Sequence, residues 1–158
     1  MSFKTTITDG IAELVVDHPP VNAMDSKGWN AFALEVERLG RDPEVRVVII
    51  AADGRGFNGG VDIKELAADP SIIVTLNHGC WQSFSNVYDC QVPVISAVHG
   101  FCLGGGIGIA GSSDFVIASE DATFGLPRST AGRSGRPPTP CASSATASHA
   151  ACSTPRSR

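Results

Sequence analysis

The tightest constraint on this chain is one stretch, Pro93-Val94-Ile95-Ser96-Ala97-Val98-His99-Gly100-Phe101-Cys102-Leu103-Gly104-Gly105-Gly106-Ile107-Gly108-Ile109-Ala110. It reads as a buried strand, a tight turn and a glycine-rich helix start. Three consecutive glycines, Gly104, Gly105 and Gly106, remove every β-carbon from one side of the backbone. Main-chain N–H groups at the positive end of a helix then become approachable by a ligand. Close packing between backbones is the alternative use of the same glycines.

The flanking sequence alternates strand and helix signals. Phe3–Thr8 and Ile11–Asp17 read as strands joined by an Asp9-Gly10 hairpin turn, and His18-Pro19-Pro20 stops the second. Trp29, Phe32, Ala33, Val36 and Leu39 recur at helical spacing, with Gly40 as the expected end. Arg46–Ala51 is a continuous apolar run expected to be buried on both faces. A second glycine-rich turn, Asp53 to Gly60, leads into a short helix. Residues 71–89 form an amphipathic helix whose expected core stripe includes Trp81 and Phe84. Val92–Val98 and Asp114–Ser119 read as further strands, and Ala122–Pro127 as the start of a loop. This alternation predicts an α/β fold with a mainly parallel sheet.

Ligands of parallel α/β proteins sit beyond the carboxyl ends of strands. Both glycine-rich turns leave such ends. If those strands are neighbours, the N–H groups of Val61 and Gly105 converge on one oxygen. The substrate implied has a carbonyl that becomes an enolate or a tetrahedral oxyanion. A competing motif, Gly106-Ile107-Gly108-Ile109-Ala110-Gly111, is a literal GxGxxG. A dinucleotide site wants an acid about 20 residues further on, and Asp114 comes too early.

These motifs carry a resemblance. Phe57-x-x-Gly60-Val61-Asp62-Ile63-Lys64-Glu65, the Pro93–Gly106 stretch, Ala122-Thr123-Phe124-Gly125-Leu126-Pro127 and the opening His18-Pro19-Pro20-Val21-Asn22-Ala23-Met24 together resemble the crotonase (enoyl-CoA hydratase/isomerase) superfamily. The match covers residues 3 to 127. It implies a ββα-spiral fold, acyl-CoA thioester substrates with coenzyme A as part of the substrate, no separate cofactor and no metal. It also implies homotrimers or hexamers. By position, the oxyanion hole falls on Val61 and Gly105. Val21, Ala23, Gly59, Gly60, Asp62, Ile63, Gly104 and Pro127 fall where the family contacts its substrate. Asp62 by itself reads as a helix N-cap.

The chain departs from the family at two places. Hydratases there use two glutamates, and two carboxylates in different protonation states suit the addition of water to a conjugated double bond. Their positions are Gly108 and Arg128 here. The expectation is a protein acting on acyl-CoA thioesters through oxyanion stabilisation, crippled as written. Two alternatives stay open. One is a non-catalytic fragment that binds CoA thioesters or partner subunits. The other, for an intact parent, is hydrolytic ring-opening of a CoA-linked steroid fragment, which the wording from Phe57 to Glu65 also resembles.

Composition breaks at the same point. Residues 1–127 hold all 16 acidic side chains against seven basic ones, whereas residues 128–158 hold five arginines and no acid. That tail has no Val, Ile, Leu, Met, Phe, Trp or Tyr. It cannot bury enough apolar surface to offset its ordering entropy, so disorder is expected. Family members commonly continue as Glu-Val-Asp-Arg-Gly-Ala-Leu-Gly. A GC-rich coding of that peptide, read in a shifted frame, gives Arg-Ser-Thr-Ala-Gly-Arg-Ser, the residues at Arg128–Ser134. The tail is therefore expected to be a frameshift product, and residues 1–127 a truncated core whose trimerisation is doubtful.

The remaining composition narrows the setting. A net charge of −4 argues against a nucleic-acid partner. No apolar run approaches a membrane span, and the N-terminus lacks a secretory h-region, so a cytoplasmic protein is expected. The five cysteines form no metal-ligand spacing and suit a reducing compartment.

Overall fold

The computed structural model describes residues 2–126, which form eight strands and four helices. Strands β1 (Ser2–Thr8) and β2 (Ile11–Asp17) make an antiparallel hairpin, with Thr8 opposite Ile11. Asp9 and Gly10 at its turn have φ of 51° and 84°, the left-handed pair that a two-residue hairpin needs. The sheet continues through β3 (Val47–Ala52), β5 (Val94–Val98) and β7 (Phe115–Ala118), all parallel, in the order β1-β2-β3-β5-β7. Three short strands, β4 (Gly56–Asn58), β6 (Phe101–Leu103) and β8 (Thr123–Gly125), form a second parallel sheet. The mainly parallel α/β reading therefore holds.

Helix α1 (Ser26–Arg41) starts where Asp25 accepts from the Gly28 N–H at 2.7 Å. Its expected stripe of Trp29, Phe32, Ala33, Val36 and Leu39 is fully buried against Leu14, Val48, Ile50 and Val94. Gly40 does not end the helix. It lies in the last turn, where a β-carbon would come within 2.8 Å of Cys90 Sγ, so close approach is its role. Helix α2 (Ile63–Ala68), a 3-10 turn at Pro70–Ile72 and α3 (Ile73–Tyr88) follow. The short helix α4 (Gly105–Ser112) leaves β6.

Four further sequence expectations need correction. On α3 the buried residues are Leu76, Gly79, Ser83 and Val87, while Trp81 is 63% exposed. Small residues face α1 because the helices touch there, with a β-carbon at Gly79 falling 3.1 Å from Trp29 Cβ. Strand β3 is fully buried only at alternate positions, Val48 and Ile50, because α1 packs on one face. The segment from Thr123 to Gly125 is a strand rather than a loop, since β6 supplies a parallel partner. The two glycine turns each contain a three-residue strand, β4 and β6, too short to show a periodicity. Pro127, Arg128, Cys141, Cys152 and the whole reading of residues 128–158 lie outside the described residues. Among the described residues, no helix is long and apolar enough to cross a membrane.

Candidate active site

The two glycine turns meet. Strands β3 and β5 are direct neighbours, as are β4 and β6, so both turns emerge side by side. Gly60, at φ 89°, approaches the start of α4 so closely that a β-carbon on it would lie 3.2 Å from both Gly105 N and Leu103 O. Gly104, at φ 53°, faces it, its own β-carbon position 3.7 Å from Gly60 Cα. Each expected donor residue, Val61 and Gly105, thus follows a glycine whose positive φ redirects the chain.

Pairing selects which amides stay free. Val61 forms a parallel bridge with Met24, in which Met24 N–H donates to Gly60 O at 2.8 Å and Asp62 N–H donates to Met24 O at 2.9 Å. The Gly60 N–H donates to Asn58 Oδ1 at 2.7 Å. Gly104 N–H donates to Gly125 O at 3.1 Å. The N–H groups of Val61 and Gly105 have no acceptor among the described residues. They sit on the two backbones that touch, and Gly105 opens α4, so the helix dipole adds positive potential there.

Two buried asparagines hold this arrangement. Asn58 Nδ2 donates to Asn22 O at 2.7 Å. Asn22 Nδ2 donates to Asp53 O and Gly56 O at 2.7 and 2.9 Å, and Asn22 Oδ1 accepts from His18 N–H. The 18–24 segment is thereby tied to the strand carrying Val61. Such fully satisfied buried networks fix one local conformation. In the sequence Asn22 stands inside the opening motif without a role, and Asn58 is an unassigned position beside Phe57. The signal was their type, since an amide beside apolar Phe57 or Val21 must find partners if it is buried.

The other expected site residues fall into two groups. Val21 and Gly59 are in contact, a β-carbon on Gly59 lying 2.8 Å from Val21 O. Ala23 lies half-buried between Asn22 and Met24, next to the Val61 bridge. Asp62 caps α2 by accepting from Lys64 N–H at 2.9 Å, and Ile63 beside it is exposed. Gly108, in the second turn of α4, faces the Phe84 ring, which a β-carbon there would overlap. Gly106 rests on Asn58 in the same way, at 2.9 Å. The GxGxxG spacing is thus used at Gly106 and Gly108 for packing rather than for a phosphate. Asp114 also has a structural role, its Oδ2 accepting from Val94 N–H at 2.9 Å.

On β6, just before the Gly104–Gly105 turn, burial pushes the Cys102 thiol up to about 11.

Comparison with known proteins bears on the family and the fold. A (7aS)-7a-methyl-1,5-dioxo-2,3,5,6,7,7a-hexahydro-1H-indene-carboxyl-CoA hydrolase from Rhodococcus jostii is 53% identical over 134 residues, covering 84% of this chain and 52% of that protein. The hydrolase of the same name from Mycobacterium tuberculosis is 51% identical, covering 84% and 54%. The chain therefore spans about half the length of these relatives. Among solved structures, a Streptomyces coelicolor protein described as a putative enoyl-CoA hydratase superposes with a TM-score of 0.71 at 30% identity, covering 77% of this chain and 46% of that one. The enoyl-CoA hydratase/isomerase family model matches residues 6–137, and the chain belongs to that family.

Proposed function

We propose that this chain binds a CoA thioester and holds its carbonyl oxygen between the Val61 and Gly105 N–H groups. The observation that carries this is the contact of Gly60 with Gly105, which brings two unpaired donors together at a helix start. One such donor is worth about 2.7–4 kcal/mol when the oxygen takes up negative charge. For the complete protein, the reaction is hydrolysis of a ring ketone carried on the thioester. Its support is the name shared by the two hydrolases. Water adds to the ring carbonyl, a carbon–carbon bond breaks, and its electron pair is delocalised onto the thioester oxygen held by the hole. The new carboxyl group keeps the water oxygen, and carbon regains the proton.

The chain as written favours binding over turnover. Gly108 brings no carboxylate, and Arg128 stands where the second glutamate is expected. We therefore expect crotonyl-CoA to bind without being hydrated. Titration with crotonyl-CoA alongside a turnover assay separates a binding fragment from an enzyme. The hole itself is tested by infrared difference spectra of crotonyl-CoA labelled with 13C at the carbonyl. Two hydrogen bonds lower its stretching frequency on binding. Gly60→Ala puts a side chain at positive φ, costing about 1–2 kcal/mol, and crowds Gly105, so it should abolish that shift. Binding with an unshifted carbonyl in the unaltered protein would refute the proposal.

A further inference from the structure

The start of α4 is held by side chains from three other elements. Asn58 of β4 lies under Gly106, Phe84 of α3 under Gly108, and Trp29 of α1 under Gly105. Among these supports, Trp29 is the one beneath a donor residue. A β-carbon on Gly105 would lie 2.5 Å from Trp29 Cζ2 and 2.6 Å from Cη2. The indole therefore fills the space where any other residue would carry its side chain.

Trp29 is itself fixed from several directions. It is fully buried. Ser83 Oγ donates to its carbonyl oxygen at 3.0 Å, and Gly79 meets its Cβ. Phe84 stands edge-on to the indole, with ring centroids 5.7 Å apart and planes at 82°. The indole Nε1 has no hydrogen-bond partner among the described residues, so shape rather than a polar bond holds the ring. The peptide it supports, between Gly104 and Gly105, has no side chain of its own to restrain it.

We infer that Trp29 is a positioning residue for the oxyanion hole, whose ring sets the direction of the Gly105 N–H. This rests on reading Val61 and Gly105 as the oxyanion hole. The chain of contact runs from Gly79, Ser83 and Phe84 on α3, through the indole of α1, to the donor at the start of α4. The lever is geometric. A hydrogen bond to a developing oxyanion loses strength when its donor turns away, whereas binding of the rest of the ligand does not depend on it.

The carbonyl-labelled crotonyl-CoA experiment tests this with two replacements. Benzothienylalanine at position 29 keeps the ring shape and lacks the N–H; it should retain the carbonyl shift. Trp29→Phe is too short to reach Gly105; it should lose most of the shift while its affinity for free CoA stays unchanged. A full shift in Trp29→Phe, or its loss with benzothienylalanine, would overturn the inference. No shift in the unaltered protein would instead refute the oxyanion hole itself. Should Trp29→Phe fail to fold by circular dichroism, 6-fluorotryptophan labelling decides. The fluorine then sits on Cη2, against Gly105, and exposed Trp81 is the internal control. Crotonyl-CoA should move the Trp29 resonance more than free CoA does, and an unmoved resonance would overturn the inference.

Discussion

Gly108 shows what a missing side chain means in this fold. A glutamate there would have to displace the Phe84 ring, whose edge-on packing with Trp29 occupies the space. Gly108→Glu should therefore destabilise by about 1–3 kcal/mol through overpacking. Phe84→Ala should cost less than the about 3–5 kcal/mol of a fully buried ring, because Phe84 is half-buried. The double variant should cost less than the sum of the two, with a coupling of about 0.5–3 kcal/mol for residues in contact. Urea unfolding of the four proteins measures that coupling, and simple additivity would mean the ring does not occupy the space. Sequence showed the glycine and the aromatic residue separately. Their contact joins α3 to α4, and spacing along the chain carries no information about it.

The elements that aim the site were legible to different degrees. The β1–β2 hairpin, α1 and the two parallel strands before the glycine turns follow from strong periodicity and plain turn residues. Strands β4, β6 and β8 leave no signal in the sequence, because three residues show no alternation. They exist because each lies beside another extended segment. The periodicity of α3 gives its place but not its rotation, since Gly79 and Ser83 face α1 by virtue of being small. The hairpin is also linked to α1 by a titratable group. Glu35 accepts from Thr5 Oγ1 at 2.7 Å and from Arg38 at 2.7 and 3.0 Å. The Arg38 guanidinium, aided by Thr5 and opposed by partial burial, holds its carboxyl below the ordinary value of 4.5. A depressed pKa contributes stability that is present above 4.5 and lost as pH falls through the lower folded value. Acidification across that window should lower the urea midpoint. Glu35→Gln should flatten this part of the profile and lower the midpoint at neutral pH.

At the scale of the whole molecule, one edge of the larger sheet is apolar. Phe115 and Ile117, alternate residues on one side of β7, are 64% and 63% exposed, and Val116 on the other side is also exposed. β7 ends the sheet order among the described residues, and an apolar edge strand is a template for pairing with another chain. The apparent mass from light scattering should rise with protein concentration. Phe115→Lys combined with Ile117→Lys should suppress that rise with little change in melting temperature, because neither side chain contributes to the buried core. Unchanged association would place the adhesive surface elsewhere.

The contact between Trp29 and Gly105 also has a meaning in time. Its two halves are 76 positions apart in the chain. A ribosome delivers α1 and its hairpin long before the glycine segment appears. The indole must wait, exposed to solvent and to chaperones, until its socket has been synthesised. Contacts of such separation are paid for in loop closure before they are rewarded. The hole should therefore mature late, and a nascent chain halted before residue 105 carries a surface that invites capture by whatever apolar partner passes first.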